Sequence, residues 1–252
     1  MENPDRKDLE LNEVRWWSNW ARLTWLPPTG YLLASDELRE SFFNRAGALT
    51  CTGVNGLAEA AEKKLADRRM DSTITVFDSC ARTIAALEDS GYKPVDTMVV
   101  LMSKGPIEAT SPAHAAIINR PSPRSWARAY LDAFYGDQGL SASVTPIVSH
   151  LSKAGAITLL EARIKDETAG VLAIFRTKGL AGVYCVGTIP KFRKLGVAGI
   201  LLAKARAIAM AEGRKLVLQS LASEGSKQFY LNRGFVPLYS KQLLTKENSN
   251  AV

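Results

Sequence analysis

Residues 182–199 read Gly182-Val-Tyr-Cys-Val-Gly-Thr-Ile-Pro-Lys-Phe-Arg-Lys-Leu-Gly-Val-Ala-Gly199. An apolar, β-branched run from Val183 to Ile189 stops at Pro190, which cannot donate to a strand ladder. A short basic loop follows, and then an apolar stretch from about Val197 to Glu212 that predicts a long helix. Arg193, Lys194, Leu195, Gly196, Val197 and Ala198 therefore sit at a strand-to-helix joint. Such a joint aims several backbone N–H groups and the positive end of a helix dipole at one spot, which suits a phosphate or diphosphate. Gly196 lets the backbone approach an anion closely, and Arg193 and Lys194 add charge. The plainer reading is an ordinary turn with solvated basic residues.

Outward from that joint, the chain of 252 residues suits one large or two small domains. Its apolar and charged fractions are those of a globular protein, and no apolar run reaches the roughly 20 residues of a membrane span. The polar start, Met1-Glu-Asn-Pro-Asp-Arg, is not a secretory signal. Cys51, Cys80 and Cys185 are far apart and odd in number. They suggest neither a metal-ligand spacing nor a disulfide framework, so a reducing cytoplasm is the expected setting. His114 and His150 have no ligating neighbours and read as surface or loop residues; no metal is expected. Charge is unevenly placed. Residues 1–119 hold 13 Lys and Arg against 17 Asp and Glu, whereas residues 120–252 hold 19 against 8. A basic second half suits a polyanionic ligand, but with no dense basic tract or interleaved aromatic motif it does not favour nucleic acid.

Along the chain, residues 1–12 read as a frayed lead-in, and Trp16, Trp17, Trp20 and Trp25 as a packed or a partner-facing surface, with core packing favoured. Strands are expected at Tyr31–Ala34, Ala48–Thr52, Ser72–Phe77 and Tyr92–Met102. Helices are expected at Leu57–Arg69, after the loop Gly53–Gly56, and at Cys80–Ser90, capped by Ser79. The proline-punctuated stretch 103–125 marks a boundary, with a short helical turn near His114 to Ile118. A helix over Trp126–Tyr135 follows. Strands are then expected at Ala156–Ile164, Gly170–Thr177, Gly182–Thr188 and Leu216–Leu221. A helix over Glu224–Arg233, capped by Ser223, and one or two strands within Phe235–Leu244 close the series. Both halves run strand, loop, helix, strand, Ser-capped helix, Gly-aromatic, strand; Gly91-Tyr92 corresponds to Gly234-Phe235. The first copy has no Arg-x-x-Gly-x-Ala at its joint, so it would keep the fold and lose the anion site.

The segment Thr188 to Ala198, followed by Phe229-Tyr230-Leu-Asn-Arg-Gly234-Phe235, resembles the GNAT-type N-acetyltransferases. The first piece is similar to their acyl-CoA diphosphate loop, the second to their Phe-Tyr-x-x-x-Gly-Phe segment. The resemblance covers roughly residues 120–246. It implies an α/β (α+β) fold, a mixed twisted sheet splayed so that acyl-CoA wedges between two strands, in two tandem domains: a degenerate GNAT-like one over 1–110, a linker over 111–124, and the acetyltransferase domain over 125–252. It also implies acetyl-CoA as co-substrate. Val186, Gly187 and Thr188 would bond the pantetheine arm, Arg193 to Gly199 would hold the diphosphate, and Ser223 would bond the pantetheine or cap its helix. Tyr230 would also touch the co-substrate and act as general acid, against the plainer reading of a core aromatic. Leu87 stands at the corresponding place in the first copy, which should be inert.

Many members carry a Glu on the strand before the loop as base; Val183 to Thr188 has no carboxylate. Glu161, on an earlier strand, is a candidate, set against an ordinary solvated carboxylate, a water chain or an amine that arrives neutral. Cys185 reads as a small buried residue rather than a nucleophile. The expected activity is acetyl transfer to a primary amine, on a small molecule or a protein, by direct attack in a ternary complex. The alternative is a non-catalytic acyl-CoA sensor or scaffold. The expected protein is a monomer or homodimer with no membrane partner.

Overall fold

A computed structural model describes residues 3–51, 56–109, 112–136 and 139–248. The chain forms two compact units. The first holds residues 1–101, 220–228 and 237–252, and the second residues 102–219 and 229–236. The units follow space rather than chain order, because the last strand returns to the first unit. The linear division at 1–110, 111–124 and 125–252 is thus a proposal about duplicated sequence, not a description of the compact bodies.

The first unit opens with helix α1, Arg6–Trp17, whose N-cap Asp5 accepts from the Lys7 N–H. This corrects the frayed lead-in. Glu10, Asn12 and Glu13 are buried polar residues on α1, so the helix has no clean apolar stripe to read. Strands β1 (Arg22–Leu26), β2 (Gly30–Ala34) and β3 (Arg45–Ala48) form an antiparallel meander. The expected strand over 48–52 lies earlier than foreseen, and Thr52 to Asn55, with most of the expected Gly53–Gly56 loop, fall outside the described residues. Helix α2 (Leu57–Ala66) then crosses to β4 (Ser72–Phe77), which lies parallel to β3. Helix α3 (Ala81–Asp89) and strand β5 (Lys93–Ser103) follow. The N-cap of α3 is Cys80 without a side-chain bond, not Ser79. Leu32, Leu57, Ala61, Ile74, Val76, Phe77 and Leu244 share the core of this unit. Trp16 and Trp20 are also buried, whereas Trp25 is exposed.

Cys51 and Cys80 are joined by a disulfide. This corrects the expectation of unpaired thiols, and with it the ground on which a reducing compartment was inferred. The 29-residue separation hid a pair that folding brings together, one just after β3 and the other just after β4.

The second unit repeats the plan. Strand β6 (Ala115–Asn119) replaces the helical turn expected there, because its backbone pairs antiparallel with β7. Helix α4 (Pro123–Phe134) is capped by the Ser122 hydroxyl, with Pro at its first turn. A helix the sequence reading missed, α5 (Ser141–Leu151), follows; Pro146 inside it masks the pattern. Strands β7 (Ile157–Ile164), β8 (Glu167–Thr177) and β9 (Leu180–Thr188) form a meander. Helix α6 (Val197–Ala211) crosses to β10 (Lys215–Leu221), parallel to β9. Helix α7 (Lys227–Leu231), shorter than expected, leads to the single strand β11 (Phe235–Lys246). Residues 241–246 of β11 pair with β4.

Candidate active site

Strand β9 is irregular where the sequence placed the pantetheine contacts. Opposite β8, Val171 faces Gly187 and Ala173 faces Tyr184. The extra residue on β9 is a bulge, and Cys185 within it has a φ of 53°. A bulge takes backbone groups out of the ladder and re-aims them. The pairing of β9 with β10 runs from Leu180↔Lys215 to Val183↔Leu218, while β9 continues to Thr188. Past Val183, the last residue in that register, β9 runs on through Val186 to Thr188.

Beyond β9, Pro190–Phe192 makes one 3-10 turn, Arg193 is extended, and Lys194 has a φ of 65°. Gly196, with a φ of 88°, is the N-cap of α6 and offers no side chain to that helix start. The first N–H groups of a helix have no partner within it, so this turn directs donors outward. Gly170 and Gly187 set the helices on opposite faces of the strands. A Cβ at Gly170 would stand 2.8 Å from Val197 Cγ1, and one at Gly187 would stand 2.7 Å from Phe134 Cε2. Here glycine is required by close approach. Arg193 is exposed, but its side chain pins the loop: Nε donates to Thr188 O at 3.3 Å and Nη2 to Ala133 O at 3.2 Å. Lys194 and Leu195 are exposed, Val197 and Gly199 buried, and Ala198 half-buried.

The two sequence motifs meet in space. A pocket of about 470 Å³ is lined by Glu108, Ala109, Gly196, Gly199, Asn232 and Arg233. It joins the first turn of α6 to the end of the Phe229–Phe235 segment. Tyr230, in that segment, is buried, with its ring edge-on to Phe229 at 5.3 Å and to Phe235 at 5.7 Å. Ser223 is not brought to the loop. It belongs to the first unit, where its N–H and hydroxyl both bond Asp96, and α7 begins only at Lys227. Ser223 is therefore not the cap of α7.

Residues 106–219 match the family described as acetyltransferase (GNAT) domain. Over these residues the chain is similar to the GNAT acetyltransferases. Solved structures share the fold. A GCN5-related N-acetyltransferase from Kribbella flavida is 18% identical over 96% of this chain and 93% of its own, with a TM-score of 0.69. One from Sphaerobacter thermophilus is 18% identical over 89% and 82%, with a TM-score of 0.65. A tandem GNAT protein from the clavulanic acid biosynthesis pathway is 13% identical over 88% and 79%, with a TM-score of 0.60. No curated protein matches the sequence.

Within the matched residues, Glu161 is not the solvated carboxylate that the alternative reading described. It is fully buried on β7 and accepts from Ser125 Oγ at 2.7 Å, Arg163 Nε at 2.7 Å and Thr168 Oγ1 at 3.1 Å. Its oxygens are occupied by donors, and β8 lies between it and β9. Cys185 has its thiol pushed up by desolvation, which keeps it protonated and not nucleophilic. The sequence reading missed Arg233. Its Nε is buried without a hydrogen-bond partner, and burial pulls the guanidinium below its ordinary pKa. The only sequence signal was its place one residue before Gly234. A half-buried guanidinium with one unpaired N–H, a side-chain-free helix start and a roomy pocket fit the phosphates of an acyl-CoA. Among the described residues, no three His, Cys, Asp or Glu side chains cluster as a metal site requires, and no helix is long and apolar enough to cross a membrane.

Proposed function

We propose that this chain is an N-acetyltransferase that moves an acetyl group from acetyl-CoA to a primary amine by direct attack in a ternary complex. The observation that carries the reading is the meeting of the α6 start with the Phe229–Phe235 segment in one pocket, and the continuation of β9 past its last pair with β10 goes with it. Acetyl-CoA brings an activated thioester to the site. The N–H groups at Gly196 to Gly199, with Lys194, hold its diphosphate, while Arg193 braces the loop. Backbone groups of Val186 to Thr188 orient the pantetheine arm, and an N–H at the bulge polarises the thioester carbonyl. Tyr230 gives its proton to the departing thiolate as the bond breaks. Glu161 is buried and already accepts three hydrogen bonds, so in this scheme the amine arrives neutral or loses its proton to water.

The amine class is set by groups around α4; a small-molecule amine and a protein lysine both fit this scheme. The experiment is a screen of amine classes for acetyl-CoA-dependent thiol release, repeated with Tyr230→Phe. The account expects release with at least one class, and a fall in kcat of roughly a hundredfold in the variant, the usual range for a lost general acid, with acetyl-CoA affinity retained. Binding of acetyl-CoA with no turnover on any amine would instead make the protein a sensor or scaffold.

A further inference from the structure

Arg233 is held in a way that leaves one edge of its guanidinium idle. Nη1 donates to Phe229 O at 3.0 Å, and Cζ lies 3.7 Å over the Phe229 ring. The ring and the carbonyl fix the plane of the group. The other edge faces the first turn of α6. A Cβ on Gly199 would stand 3.5 Å from Nε and 3.7 Å from Nη2, and Nε is buried with no partner. A buried unpaired N–H is costly unless a ligand satisfies it. The Nε–Nη2 edge presents two parallel N–H groups, the spacing that matches two oxygens of one phosphate. The same pocket receives the start of α6.

We propose that Arg233 binds a phosphate group of the acyl-CoA co-substrate through its Nε–Nη2 edge and is a specificity residue for the nucleotide end of that molecule. The inference rests on the function proposed above. Glu108 is exposed on the same pocket, on a segment tied down by Lys104 N–H to Gly234 O and by Arg206 Nε to Gly105 O. Its carboxylate repels an incoming phosphate and tempers the affinity that Arg233 confers. Acyl-CoA carries phosphate in two places, the diphosphate bridge and the ribose 3′-phosphate.

The test measures binding of acetyl-CoA, its 3′-dephospho form and acetyl-pantetheine, which has neither phosphate, to the full chain and to Arg233→Gln and Arg233→Lys. The expected result for Arg233→Gln is a loss of roughly tenfold or more for acetyl-CoA, in the range of a charge-assisted hydrogen bond. Arg233→Lys recovers part of it, and neither variant changes the weak affinity for acetyl-pantetheine. A loss that vanishes with the 3′-dephospho form assigns the 3′-phosphate; a loss that persists assigns the diphosphate. Two results overturn the proposal while leaving the acetyl-CoA reading intact. One is unchanged acetyl-CoA affinity in Arg233→Gln where Gly196→Val weakens it. The other is an equal loss for acetyl-pantetheine, which would make Arg233 merely structural. Failure of the unmodified chain to bind acetyl-CoA overturns both.

Discussion

Lys241 is charged and almost without solvent exposure. Its Nζ donates to Glu10 Oε2 at 3.1 Å and to Glu13 Oε2 at 2.5 Å, and Glu13 also takes Arg45 at 2.6 Å. Desolvation pushes the Lys241 pKa down, but Glu10 and Glu13 more than reverse it, and the net shift is upward from 10.5. Desolvation raises Glu10, while for Glu13 the charges of Lys241 and Arg45 overcome desolvation and lower it. Removing one partner of such a cluster leaves an uncompensated buried charge, at a cost of about 3–5 kcal/mol. Lys241→Met should therefore lower the urea midpoint sharply at pH 7. The sign with pH follows from the raised lysine. Its stabilisation is complete below 10.5 and is lost as pH rises through the folded value, so the gap between wild type and Lys241→Met should narrow above pH 10.5. A gap that is absent at pH 7, or that widens in alkali, would contradict this. The same cluster shows why single residues were hard to read. Glu10 and Glu13 look like surface carboxylates in sequence, and Arg233 looks like a solvated cation. Each has its role only through a partner far along the chain or a neighbour across a pocket.

Elements were legible where one face decides them. Strand β4 was expected at its observed bounds, and β7, β8, β9 and α6 to within a few residues, because their apolar runs are bounded by Gly, Pro or turn pairs. Helix α1 was not legible, since its buried side is partly ionic; β6 was missed because it exists by pairing with β7 rather than by its own pattern. Duplication shows best at this scale. In each unit a three-strand antiparallel meander is followed by a helix crossing to a parallel strand, β3-α2-β4 in one and β9-α6-β10 in the other. Both crossing helices start on a left-handed glycine, Gly56 and Gly196. The difference is at the strand ends. The Cys51–Cys80 bond ties the chain after β3 to the chain after β4, whereas β9 runs on past its last pair with β10. In the chain-entropy view, a closed loop of 29 residues stabilises by about 3–4 kcal/mol. Replacing both cysteines by Ser should lower the unfolding midpoint accordingly and leave acetyl-CoA affinity unchanged. Weaker acetyl-CoA binding in that variant would place the bond at the active site instead.

For the whole molecule, the consequential fact is that residues 237–246 complete the first unit. Residues 1–110 by themselves lack the strand that covers β4 and supplies Lys241. Sequence order suggested two consecutive domains because the strand-and-helix rhythm is repeated; nothing in local pattern reveals where a final strand will pair. On this account the chain holds one acyl-CoA site, in the unit that has Arg193 to Gly199 and Tyr230, while in the other unit a disulfide ties the chain after β3 to that after β4 and Leu87 stands at the place of the tyrosine. The most direct measurement is a calorimetric titration of acetyl-CoA into the full chain and into Gly196→Val, with circular dichroism to show that both are folded. The left-handed backbone at Gly196 strains a branched side chain, and one placed there would intrude on the pocket that Gly196 lines. The account predicts one acetyl-CoA per wild-type chain and an affinity at least roughly tenfold weaker in the variant. Two sites per chain, or undiminished binding by folded Gly196→Val, would contradict it.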